Sequence, residues 1–159
     1  PVYIRLTGGV NNPIVYQDDY DFEFGKAVCV KEGEDICIVA TGSMVAMAIN
    51  VANEIELLQK ISVKVVNMHT LKPLDEKCLS ELFGVFSTIV SLEEHSVVGG
   101  LGSAMSEFKS RENHLARHIS IGIEDCYVKA GDYQYALAEA GLSKDKIITN
   151  ILNKLYSSL

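Results

Sequence analysis

The sequence predicts an α/β fold: a three-layer α/β/α sandwich on a five-stranded, mainly parallel sheet, with the first strand antiparallel. Three observations carry this. Short β-rich runs alternate with helical apolar stripes from residue 27 to residue 156, as in consecutive strand–helix–strand units. The period changes from two to 3.6 across Gly99-Gly100-Leu101-Gly102, where Leu101, Ala104, Met105 and Phe108 take up an i, i+3, i+4, i+7 stripe. The first two runs, 27–31 and 35–41, are separated only by Glu32-Gly33-Glu34, short enough for a hairpin, so the first strand should run antiparallel to the second.

Residues 1–6 alternate like a strand but end at Thr7-Gly8-Gly9 with no turn chemistry to pair them onward. Residues 10–24, with Asn11-Asn12-Pro13 and the acidic Asp18, Asp19 and Asp21, read as a linker laid over a surface. After Thr41-Gly42-Ser43 the pattern is helical, with Val45, Ala48, Ile49, Ala52 and Ile55 inward and Ser43 as N-cap. Residues 63–68 form the third strand. His69-Thr70-Leu71-Lys72-Pro73-Leu74-Asp75 leads into a second helix that Asp75 can cap, with Cys78, Leu79, Leu82 and Phe83 inward. Residues 89–92 supply the fourth strand, and 118–123, with alternating Ile119, Ile121 and Ile123, an edge strand. Two helices close the chain: 133–140, stopped by Gly141, and 145–156, capped by Ser143 and carrying Ile147, Ile148, Ile151, Leu152 and Leu155.

A chain of 159 residues fits one domain with a substantial core. Fourteen Lys+Arg against 21 Asp+Glu give a net charge of −7 without a basic run, which argues against a nucleic-acid partner. No apolar stretch reaches bilayer-spanning length, so no membrane role is expected and a cytoplasmic location is the simplest reading. Four cysteines lack C-x-x-C spacing; Cys29, Cys37 and Cys78 fall on predicted strands or an apolar stripe and read as reduced core thiols. The chain opens on Pro1, which suggests processing or an excised fragment.

In open parallel sheets ligands bind beyond the carboxyl ends of the strands. Those ends carry Ser43, His69, Glu94, His95, Gly102 and Ser103, a candidate anion-binding or interface site. Helix N-termini after Gly42 and Gly102 offer free N–H groups to an anion, which Glu93 and Glu94 oppose. The Gly-rich loop can cradle a phosphate or simply allow close helix packing, and packing is the default reading. Glu94 and His95 can form an acid/base pair only if neighbours on a strand converge, which alternation disfavours. His114 and His118 are four apart but lack a third metal ligand. No catalytic, cofactor-binding or metal residue is assigned to the chain.

Several motifs together carry a resemblance. Pro1-Val2-Tyr3-Ile4-Arg5, Ala40-Thr41-Gly42-Ser43, Val66-Asn67-Met68-His69-Thr70-Leu71-Lys72-Pro73-Leu74-Asp75, and Glu93-Glu94-His95 followed by Gly99-Gly100-Leu101-Gly102-Ser103-Ala104 resemble the C-terminal domain of the transketolase family. The likeness runs over nearly the whole chain, in order and spacing. It is nearest to the short, two-subunit bacterial and archaeal transketolases, with deoxyxylulose phosphate synthase and the β subunit of 2-oxo acid dehydrogenases as cousins. The resemblance implies a thiamine-diphosphate- and Mg2+-dependent transfer of a two-carbon ketol unit between sugar phosphates. It also implies that the cofactor is held by a pyrimidine-binding and a diphosphate-binding domain, with no ligand from this chain, which alone would be inactive. On this reading residues 1–24 are the end strand of the pyrimidine-binding domain plus a linker, and residues 25–159 are the C-terminal domain, serving domain packing and a homodimer. One departure concerns substrate. Many relatives carry a phosphate-binding arginine about where Gly8 stands; Arg5 is a substitute or a structural ion pair. A small-anion or effector module, a pure dimerisation module, and the same domain of a deoxyxylulose phosphate synthase-like or 2-oxo acid dehydrogenase β-subunit protein are the competing readings.

Overall fold

A computed structural model describes residues 1–6 and 13–157. The Thr7-Gly8-Gly9 end of the first run, the Asn11-Asn12 pair and the place of the absent arginine at Gly8 lie outside the described residues. The elements are β1 (Val28–Lys31), β2 (Ile36–Ala40), α1 (Met44–Gln59), β3 (Val63–Asn67), α2 (Glu76–Val85), β4 (Thr88–Ser96), α3 (Leu101–Arg111), β5 (Arg117–Ile123), α4 (Tyr133–Glu139) and α5 (Lys144–Tyr156). The strands form one sheet in the order β1-β3-β2-β4-β5, with β1 antiparallel to β3 and the other pairs parallel.

The expected hairpin is not formed: β1 is antiparallel, but its partner is β3 and not β2. The reason lies in burial. All five residues of β2 are buried, so it needs a strand on each side and takes β3 and β4, whereas half-exposed β1 suits the edge. To reach β2 the chain crosses the start of β3 at Gly33, where a Cβ would run into the Val63 carbonyl and the Lys64 nitrogen. The ion pairs Lys31–Glu56 (2.7 Å) and Lys64–Glu32 (2.5 Å) flank that crossing.

Two apolar clusters lie on opposite faces of the sheet, giving three layers. One joins Ile38, Val65, Val90 and Ile121 to α1, to Leu137 of α4 and to Ile147, Ile148 and Ile151 of α5. The other joins Cys37, Val39, Val66 and Ile89 to Leu79 and Phe83 of α2 and to Leu101, Met105 and Phe108 of α3. The helical stripes thus point inward as their spacing predicts, although Ile49, Cys78, Ala104, Leu152 and Leu155 are only half-buried. Cys29 is a correction: on the edge strand it is exposed and bonds Glu32 instead of packing in the core. Burial pushes the Cys78 thiol up to about 11.

The caps divide. Asp75 caps α2 as expected, accepting from the Cys78 amide at 3.1 Å, and also receives the Ala27 amide at 2.9 Å, which ties the entry of β1 to the start of α2. Ser43 does not cap α1, because its hydroxyl is drawn to Glu94, and Ser143 makes no side-chain cap. Residues 1–6 pair with no strand among the described residues.

Candidate functional site

The strand order places the switch of a doubly wound sheet between β2 and β4, since the chain proceeds from β2 to β3 on one side and onward to β4 on the other. A crevice for ligands normally opens there, beyond the carboxyl ends. Here two consecutive glutamates at the end of β4 fill it. Alternation sends their side chains to different sides.

Glu93, 1% exposed, turns to the Gly-rich loop. Its Oε2 accepts the Leu101 amide at 2.7 Å and its Oε1 the Gly102 amide at 2.8 Å, so the first free N–H groups of α3 are already bound to a carboxylate. The loop is shaped around it: a Cβ on Gly100 would lie 2.7 Å from Glu93 Cδ, and one on Gly102 would strike the Ser91 hydroxyl at 2.9 Å. Gly99, at φ +80, makes the turn. The glycines serve close packing, as their default reading has it.

Glu94 faces the other way. Its Oε2 accepts from the Ser43 hydroxyl and from Tyr133 Oη at 2.7 Å, linking the start of α1, the end of β4 and the start of α4. Burial, followed by the neighbouring Glu94, raises the pKa of the Tyr133 phenol. Arg5 and Leu6 line a recess of about 280 Å3 together with Gly42, Ser43 and Ala46.

Of the six residues expected at the strand ends, the structure brings Ser43 and Glu94 into contact. His95 is exposed and, among the described residues, bonds the neighbouring Ser96 carbonyl at 3.1 Å and not Glu94. Gly102 is held by Glu93, and Ser103 is engaged in the loop, donating to the Val97 carbonyl at 2.9 Å and accepting from the Gly99 amide at 2.8 Å. His69 lies apart, its Nδ1 2.8 Å from Thr70 Oγ1 and its ring against Phe22, 4.7 Å between centroids. The linker covers this part of the edge: Asn67 Nδ2 donates to Tyr16 Oη at 2.7 Å, and the Gly25 amide to Thr70 Oγ1 at 3.3 Å.

Sequence reasoning missed Tyr133 and Tyr16, whose partners lie 39 and 51 residues away and leave no local signal. It also missed the polar seam of His118. That ring lies 2.9 Å from Ser106 Oγ through Nδ1 and 3.0 Å from Ser91 Oγ through Nε2, and burial, with Lys109 adding, lowers its pKa to about 4. His114 instead stacks on Phe83 at 5.4 Å. Among the described residues no His, Cys, Asp and Glu grouping fits a metal ion.

Fold and edge together define a doubly wound α/β domain whose crevice is filled by its own side chains. The transketolase C-terminal domain family matches residues 25–147, and the chain belongs to that family. It is 39% identical over 150 residues to the 6-deoxy-6-sulfo-D-fructose transketolase subunit of Clostridium sp. strain MSTE9, covering 93% of this chain and 45% of that protein. It is 32% identical over 156 residues to 1-deoxy-D-xylulose-5-phosphate synthase of Pseudomonas fluorescens, covering 98% and 24%. A solved structure described as a split gene transketolase, an inactive beta4 tetramer, superposes with a TM-score of 0.81 at 35% identity, covering 89% of this chain and 46% of that one. The chain thus spans less than half the length of these relatives.

The strand ends do not fit the diphosphate and Mg2+ of a thiamine cofactor. The Leu101 and Gly102 amides that would hold a diphosphate are spent on Glu93, whose own charge repels it.

Proposed function

We propose that this chain is the non-cofactor-binding C-terminal domain of a cytoplasmic thiamine-diphosphate-dependent transketolase that moves a two-carbon ketol unit between sugar phosphates. It serves that enzyme by packing against the pyrimidine-binding and diphosphate-binding domains and by homodimerisation, with residues 1–24 as the approach from the pyrimidine-binding domain. The supporting observation is the apolar surface left open along the N-terminal residues: Val2, Ile4 and Leu6 are 71, 72 and 84% exposed, and Ile14, Phe22 and Phe24 are exposed as well. So much open apolar surface in one segment suits an interface. Higher identity to a transketolase subunit than to a synthase favours ketol transfer over the synthase reaction. Closure of the α3 N-terminus by Glu93 weighs against an effector-binding module, so Ser43, His69, Glu94, His95, Gly102 and Ser103 are read as interface residues.

The test compares this chain alone with the whole enzyme that carries it, each supplied with thiamine diphosphate, Mg2+, a ketose phosphate donor and an aldose phosphate acceptor. Turnover and cofactor binding are expected only in the whole enzyme. Turnover by the isolated chain would overturn the assignment.

A further inference from the structure

The loop formed by residues 124–132 stands beside the same strand ends. It carries Tyr127 at 105% and Val128 at 36% exposure, and among the described residues few hydrogen bonds hold it. Within it the Cys126 amide bonds the Glu124 carbonyl at 2.7 Å, and Lys129 reaches Glu139 at 3.5 Å. Its far end is fixed at Asp132 and Tyr133, where Asp132 caps α4 through the Tyr135 amide at 2.9 Å and Tyr133 Oη donates to Glu94. The Glu94 oxygen that receives Tyr133 also receives Ser43, a residue of the recess lined by Arg5 and Leu6. Three elements distant in sequence therefore meet at one carboxylate atom, between the loop on one side and the N-terminal segment on the other.

We propose that Glu94 is the positioning residue of this edge: by gathering the Ser43 and Tyr133 hydroxyls on one oxygen, it sets the 124–132 loop and the start of α1 for contact with the companion pyrimidine-binding domain. The inference rests on the transketolase reading above, because the N-terminal segment that shares the recess is read as the end of that domain. A carboxylate suits the task. It accepts from two hydroxyls at once, and such charge-assisted bonds hold geometry better than neutral ones.

The experiment uses the whole enzyme and reads hydrogen exchange of residues 124–131, the concentration at which the assembly dissociates, and ketol transfer. Tyr133→Phe keeps the ring and removes one donor; loop amides should exchange about tenfold faster, with β2 amides unchanged. Dissociation should then occur at roughly several-fold higher concentration, as expected for the loss of pre-organisation. Glu94→Gln, which keeps an acceptor oxygen, should fall between wild type and Glu94→Ala. Unchanged loop exchange in Tyr133→Phe, or a loosened loop with unchanged assembly, overturns the inference while the transketolase reading stands. A wild-type enzyme without ketol transfer overturns that reading first.

Discussion

Glu93 and Gly100 should be energetically inseparable, and a double-mutant cycle measures it. Glu93→Ala leaves the Leu101 and Gly102 amides without their acceptor in a buried place. Each amide–carboxylate bond is worth about 1.5–3 kcal/mol, so removing both should cost about 3–5 kcal/mol once the relief of a buried charge is allowed for. That is a large share of the roughly 5–15 kcal/mol that holds an ordinary domain together. Gly100→Ala alone places a methyl group on Glu93 Oε2 and should break at least one of the two bonds, costing about 1.5–3 kcal/mol. With Glu93 already absent the obstruction is gone, and since Gly100 has φ −95 no left-handed strain opposes alanine. There the second change should be neutral or stabilise by about 0.5 kcal/mol through the unfolded chain. Urea denaturation of the four variants, at constant slope, gives the coupling. Additive losses, or a Glu93→Ala variant within about 0.5 kcal/mol of wild type, would refute the account of Glu93 as the internal anion of α3.

His118 should make the fold acid-sensitive over a defined window. Its folded pKa of about 4 lies below the unfolded value of about 6.5, so the unfolded chain binds the proton first and stability falls as pH drops between the two. The loss is about 3 kcal/mol at most, and His118→Gln should flatten this part of a plot of ΔG against pH. Asp75→Ala should cost about 2–3 kcal/mol by freeing the Cys78 and Ala27 amides; amide exchange should rise at both the start of α2 and the entry of β1, whereas a pure helix cap would loosen α2 alone.

Much of the architecture was legible because burial periodicity and strand–helix alternation are local properties. The stripes of α1, α2, α3 and α5 and the alternation of β5 all follow from neighbours in the chain. The partner of β1 did not, because a connection as short as residues 32–35 allows both a hairpin and a crossing past the start of β3. What decides is that β2 is buried throughout and β1 is not, a contrast present in ICIVA against VCVK but weaker than the turn signal. At the strand ends, the sequence could place two acids at the end of β4 and recognise that they oppose an anion. It could not say that Glu93 would take the α3 amides itself, nor that Glu94 would recruit a tyrosine 39 residues on. Those are facts of tertiary convergence. The cap expected at Ser43 failed for the same reason, since a competing acceptor came from another strand.

The two glutamates are ligands that never leave. A carboxylate carried on the end of β4 is present at its helix N-terminus or its pair of hydroxyls at an effective concentration set by the tether, in the millimolar range or above even for flexible connections and higher for a rigid strand. A free phosphate at ordinary cellular concentration competes against that standing occupancy and must also overcome the charge already in place. Substitution at Glu93 or Glu94 would remove that internal competitor together with its charge. Replacing either glutamate would leave donors on the same backbone without the internal carboxylate that now satisfies them.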